Sequence, residues 1–150
     1  MPGYGVPETL EGALSWSWAE ERLAATRNFW VATARADGRP HVMPVWGLWL
    51  DGLFWFSTAR TSVKARNLFA RPDCVITTER ADEAVILEGR AEHVEDHAAL
   101  APVWAAYKAK YDWDLSGESM FALRPAKAFA FIETAAQFGP TATRWVWGVD

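Results

Sequence analysis

The apolar positions change period at Asn28. Upstream, "SWSWAEERLAAT" (15–26) groups its apolar residues at helical spacing, with Ser15 or Ser17 as N-cap and Glu20 and Glu21 in the first turns, which predicts a short helix. Downstream, "NFWVATA" (28–34) and "HVMPVWGLWL" (41–50) are rich in β-branched and aromatic residues with a period of two, which predicts strands. Asp37-Gly38 between them is a hairpin signal, and Asp51-Gly52 marks a second tight turn into "LFWFSTA" (53–59). Three such strands in sequence are expected to form an antiparallel meander. Pro44 removes a ladder donor, so an edge or a bulge is expected there.

The strand pattern breaks at "TSVKARNLFARPD" (61–73), where Val63, Leu68 and Phe69 approach helical spacing, Thr61 or Ser62 can cap, and Pro72 ends the segment. "CVITTE" and "AVILEGRAEHV" follow as strands joined across "RADE". "EDHAALAPVWAAYKAKY" (95–111) predicts a helix with Asp96 near its start and a kink or late start at Pro102. After the polar loop "DWDLSGES", "MFALRPAKAFAFIE" supplies one or two strands, and "TATRWVWGVD" is a Trp-rich tail. The sum is a mainly β chain with short α-helices: about six antiparallel strands, arranged as a small β-barrel. At 150 residues it is one domain, with residues 1–14 as a loose arm, a helix at 15–26, and a barrel with helical insertions over 28–147.

Composition narrows the partners. Hydrophobic residues at 51% and charged residues at 23% belong to an ordinary globular protein. A net charge of −4 argues against nucleic acid, whose binders carry a broad basic face. Cys74 is the lone cysteine, which excludes an intrachain disulfide and points to a reducing compartment. No eighteen-residue apolar run and no basic, apolar leader occur, so the expectation is a cytoplasmic protein without a membrane partner. Ten Trp could fill a core, a dimer seam or a flat-ligand pocket.

Against that acidic background, Arg60, Lys64, Arg66 and Arg71 crowd into residues 60–71, and no Asp or Glu lies between Asp51 and Asp73. A cluster of this kind on a short helix is often only a solvated face. Here it follows a strand directly, beside the hydroxyls of Thr58, Thr61 and Ser62 and a helix start, a combination that suits a phosphate. Lys64 and Asn67, three apart, can face the same way, whereas Arg66 points elsewhere.

These segments together resemble a known family. The "A-x-x-D-G-R-P" hairpin, the "P-V-W" strand, the "F-S-T" strand end, the "K-A-R-N-L" helix and the tail "TATRW" are similar to the pyridoxamine-phosphate-oxidase-like, FMN-binding split-barrel superfamily. The likeness covers roughly residues 28–147 and is nearest to the actinobacterial flavin- and deazaflavin-dependent oxidoreductases. The resemblance implies a six-stranded Greek-key split barrel that forms a homodimer, with a flavin-type cofactor at each end of the dimer cleft. It implies that Lys64 and Asn67 contact the cofactor phosphate, that Ser57, Thr58 and Arg60 reach the phosphate or ribityl chain, and that the backbone of Val45 and Trp46 runs along the ring. Arg144 and Trp145 would approach from the tail, either the chain's own or that of the partner subunit. The Arg- and Lys-bearing "R-x-V-L-L-K" segment of true pyridoxamine phosphate oxidases is absent, so vitamin B6 oxidation is not expected.

Two cofactors suit such a grip. FMN ends in one phosphate, whereas the deazaflavin coenzyme F-420 carries a phosphodiester and an oligoglutamate tail that need a longer positive track. Arg60, Lys64, Arg66 and Arg71 can supply one, and F-420 is favoured. The expected function is then hydride transfer to or from a small, flat, hydrophobic substrate. The chemistry belongs to the cofactor, and no catalytic acid or base is evident in the sequence. A non-catalytic carrier of flavin, deazaflavin or haem is the rival reading. No metal site is expected, because His93 and His97 have no zinc-like companions. His41 is expected to be a turn or edge residue, and Cys74 a small core residue.

Overall fold

Hairpin turns, caps and one glycine divide the chain into eight strands and four helices among the described residues, which in this computed structural model are 14–134 and 136–148. The expected loose arm lies, but for Leu14, outside them. Helix α1 (Trp16–Ala25) begins at Ser15, whose Oγ accepts the Trp18 N–H at 3.2 Å. β1 (Asn28–Ala34) and β2 (Pro40–Trp46) pair antiparallel, from Asn28 opposite Trp46 to Ala34 opposite Pro40. The turn between them needs a left-handed residue, supplied by Gly38 at φ +88°. β3 (Leu48–Leu50) and β4 (Leu53–Phe56) form the second hairpin. Then follow α2 (Val63–Ala70), β5 (Asp73–Thr78), β6 (Glu83–Val94), α3 (His97–Tyr111), β7 (Met120–Ile132), the one-turn α4 (Phe138–Thr141) and β8 (Thr143–Val146).

The hydrogen-bonded order is β2-β1-β5-β6-β7-β4-β3, with β8 also paired to β7. The expected three-strand meander does not form: the two hairpins occupy opposite edges of the sheet. Yet those edges, β2 and β3, are separated in the chain by Gly47 alone, so the sheet must curl until they come together. That closure is what makes an antiparallel half-barrel of this sheet. Six strands become eight for two reasons. Gly47 breaks the 41–50 run, because a side chain there would run into the Phe54 ring, and the tail adds β8.

Pro44 sits on edge strand β2 opposite Trp30, where its missing N–H costs no ladder bond to a further strand. The late start expected at Pro102 does not occur. Asp96 caps α3 through its Oδ1 to the Ala98 N–H (3.1 Å), and Pro102 is carried inside the helix. The barrel interior is filled by Phe29, Val31, Phe54, Phe56, Ile76, Val85, Leu87, Phe121 and Leu123, while a second cluster seats Leu100, Val103, Tyr107 and Tyr111 of α3 on β3 and β4. Helix α2 lies against β1, β2 and β6, which puts the basic segment beside the open edge.

Candidate functional site

Register decides what the open edge presents. Phe29, Val31 and Thr33 of β1 are buried, and they stand opposite Val45, Met43 and His41 of β2. Opposed residues of an antiparallel pair share a face, so all six point to the barrel side. Val45 is covered, but Met43 is 44% exposed and His41 half-buried, because no strand continues the sheet beyond β2. On the other face Trp30 and Val42 are exposed as well, at 44% and 54%. The edge is thus an apolar shelf on both sides, ending at His41.

Helix α2 closes that end. Ser62 caps it, its Oγ accepting the Ala65 N–H (3.1 Å) and lying 2.9 Å from Thr58 Oγ1. Those two hydroxyls therefore order the turn between β4 and α2. Asn67 is buried and donates its amide to Thr33 Oγ1 (3.0 Å), tying the helix to β1. Lys64, one turn earlier, is half-buried, and among the described residues it forms no ion pair. Burial holds its ammonium below the usual lysine range. A cation that has lost part of its hydration without gaining a counter-charge gains from pairing with an anion. The imidazole of His41 shares this environment: burial first, then Arg35 and Lys64, hold it below the ordinary histidine range.

The other expected contacts are distributed unevenly. Ser57 and Thr58 are half-buried at the end of β4, next to α2. Arg60 is exposed, bonded to Glu95 at 2.7 Å and lying over the Phe69 ring. Arg66 is exposed on α2, and Arg71 donates to the Ala36 carbonyl (3.2 Å). Val45 faces the core. The Trp46 ring stacks on Tyr111 (centroids 4.7 Å, planes 8° apart) under the Arg27 guanidinium, so it is held by α3. Arg144 is exposed on β8 opposite Phe129, and Trp145 packs edge-on against Trp16 of α1. Within one chain the tail joins β7 and α1, and α2 rests on β1, β2 and β6.

Sequence reasoning missed a clamp on the β2–β3 bend. The Tyr111 hydroxyl lies 2.9 Å from the Gly47 nitrogen, 2.8 Å from the Gly47 oxygen and 2.7 Å from the Arg27 oxygen, and Lys110 Nζ donates to the same Gly47 oxygen at 2.9 Å. It fixes the strand that carries Val45 and Trp46. His41 lies on edge strand β2, as expected, and the alternation of "HVMPVW" puts it on the same face as Met43 and Val45.

The remaining chemistry is quiet. Cys74 is in the core, its thiol pushed up to about 12 by burial and by Asp73. His93 is taken by Ser119 Oγ (2.8 Å) and by contacts with Phe69 and Phe121. Among the described residues no three His, Cys, Asp or Glu side chains gather as a metal site, and no helix is long and apolar enough to cross a membrane. Open hollows among the described residues lie elsewhere, among them about 360 Å³ beside Trp16, Trp49 and Trp147, and about 570 Å³ between Thr33, Cys74, Glu88 and Lys127. A shallower one of about 330 Å³ opens at Asn28, Pro44, Val45 and Trp46. Lys64 lines none of these three and stands on an open shelf.

A curled antiparallel sheet with an uncovered apolar edge and a half-buried lysine at its end belongs to the class of small split-barrel proteins. The match to the pyridoxamine 5'-phosphate oxidase family over residues 18–137 is decisive: the chain is a member of that family, which includes flavin-dependent oxidoreductases. Among solved structures it is similar to a conserved hypothetical protein of Mycobacterium tuberculosis (22% identity, 87% of this chain and 91% of that one, TM-score 0.75). It is also similar to an F420 reductase (22%, 73% and 94%, TM-score 0.60) and to a FAD-binding protein of Mesorhizobium loti (19%, 77% and 92%, TM-score 0.59). No curated protein matches the chain in sequence.

Proposed function

We propose that this protein is an oxidoreductase that holds the deazaflavin coenzyme F-420 and exchanges a hydride between it and a small, flat, hydrophobic substrate. The observation that carries the reading is Lys64: half-buried, without a counter-charge among the described residues, at the end of an apolar shelf. Lys64 would take the phosphoryl group, with Ser57, Thr58 and the α2 start around it, while the backbone at Val45 and Trp46 and the side chain of Met43 lie along the ring. The bound coenzyme supplies the two-electron chemistry; the chain positions it, covers it from water and sets the local charge. Arg60, Arg66 and Arg71 extend the positive track for a longer anionic tail. The Arg60–Glu95 pair is exposed, and such pairs are worth only about 0–1 kcal/mol, so it exchanges readily for another anion.

FMN is the second reading. It is favoured by the engagement of Arg60 with Glu95 and of Arg71 with Ala36, which leaves Lys64 to bind a single phosphate. In either case the exposed Trp30, Val42 and Met43 favour a homodimer that covers the shelf and completes the cleft, with Arg144 and Trp145 contributed by the partner's tail.

Mass spectrometry of the molecule that co-purifies from a host making both cofactors tests the assignment. The expected result is F-420, and FMN would transfer it to the second reading. Reduction of the bound coenzyme followed by substrate-dependent reoxidation with added quinones or enones is expected of an enzyme; tight binding without reoxidation would make the protein a carrier. Sedimentation at micromolar concentration is expected to give a dimer, and a monomer would remove the shared cleft.

A further inference from the structure

The most incomplete polar side chain near the shelf is His41. Its Nδ1 is sealed from solvent and has no hydrogen-bond partner among the described residues, an arrangement that a folded protein rarely leaves without purpose. Nε2 is not sealed in this way. Strand register puts His41 opposite Thr33, and Thr33 Oγ1 receives the amide of Asn67, three residues beyond Lys64 on the same helix. Imidazole and ammonium are therefore neighbours on one side of the sheet.

We infer that His41 is part of the anion grip: an anion that settles against Lys64 brings a proton from solvent onto the His41 imidazole, so that anion and proton bind together. This rests on the reading of Lys64 as the anion receptor. The charges around the ring all point one way. Arg35, at the end of β1, donates to the Pro40 carbonyl (2.9 Å) next to His41, and Lys64 approaches from α2. Arg71 reaches the same hairpin at Ala36, and the carboxylate of Asp37 at the tip is already occupied by Arg39 (2.8 Å). With cations on two sides, the ring stays neutral in the absence of an anion, in line with its lowered affinity for protons. Either neutral tautomer offers an anion at most one uncharged N–H, whereas the imidazolium offers the same N–H with a full positive charge, so an anion beside the ring favours the charged form.

The sign follows by linkage. An anion offsets the field of Arg35 and Lys64, so the imidazole binds its proton more tightly in the complex than in the free protein. Affinity for the anion therefore rises as pH falls through this window. An opposite charge within contact range moves a titration by on the order of one unit, so anion affinity should rise about tenfold between about pH 7.5 and about pH 5.

Inorganic sulfate is the probe, because it keeps its charge throughout this range, unlike a phosphate monoester. Nitrogen NMR of the His41 ring in the full chain reads its protonation directly, with and without saturating sulfate. The expected result is a raised midpoint in sulfate, about tenfold tighter sulfate binding at the acid end, and loss of both in Lys64→Met. His41→Gln is expected to keep sulfate binding and lose its pH dependence. If sulfate perturbs the Lys64 resonances but leaves the His41 titration unmoved, the inference fails and the cofactor reading stands. If sulfate perturbs neither residue, both fall.

Discussion

Two lysines of this protein sit at similar depth and live differently. Lys110 of α3 lies against the rings of Phe29 and Tyr111 (both 5.2 Å) and donates to the Gly47 carbonyl, and burial together with Arg27 brings its ammonium down to about 8. Lys64 of α2 is also held low by burial, but among the described residues it donates to no such carbonyl. Lys110 belongs to a finished network in which Tyr111 and Gly47 also find their partners. Lys64 and His41 are left wanting. A buried polar group that the fold satisfies is there for the fold, and one that the fold leaves open is available to a ligand.

That contrast can be broken by substitution, and the largest effect is expected at the finished network. Gly47→Ala drives a methyl into the Phe54 ring and should cost about 3 kcal/mol of stability in denaturant unfolding, or prevent folding. A stable variant with an unchanged midpoint would show that the bend tolerates a side chain. Tyr111→Phe keeps the stack on Trp46 but removes the hydroxyl shared by Gly47 and Arg27, with an expected loss of about 1.5 kcal/mol.

A smaller effect should appear on the pH axis. Lys110 holds its proton less tightly in the folded chain (about 8) than in the unfolded one (10.5). The penalty on its charge is therefore full below pH 8 and fades as pH rises toward 10.5, so wild-type stability should gain about 1 kcal/mol on Lys110→Met over that range, allowing for solvent screening. Parallel stability curves for the two proteins would remove Lys110 as a desolvated charge. Smallest of all, Lys64→Met should leave the thermal midpoint unchanged or slightly raised, since it removes a dehydrated charge that nothing internal needs. A marked drop would make Lys64 a structural residue.

The sequence carried the elements better than their arrangement. Strand β1 and helices α1 and α2 follow from period, caps and turn glycines, because those signals act within a few residues. Sheet order did not follow. Nothing local in "VWGLWL" says that the residues on either side of Gly47 go to opposite edges, since that outcome is fixed by the Phe54 ring and by Tyr111, 64 positions away. The site divides in the same way. Lys64 stands out in the sequence because an acid-free window surrounds it. His41 became visible only through pairing with Thr33, and Trp46 turned out to be held by an aromatic stack from α3 that no short-range pattern announces. Arg60, expected in the grip, is paired with Glu95, a contact across 35 residues.

The most direct test is calorimetric titration of F-420 and of FMN into the wild-type protein and into Lys64→Met. Loss of a charge-assisted contact is expected to weaken binding of the preferred cofactor by about 1.5–3 kcal/mol, roughly ten- to a hundredfold. Equal affinity of the two proteins for both cofactors would contradict the assignment of Lys64 as the anion receptor.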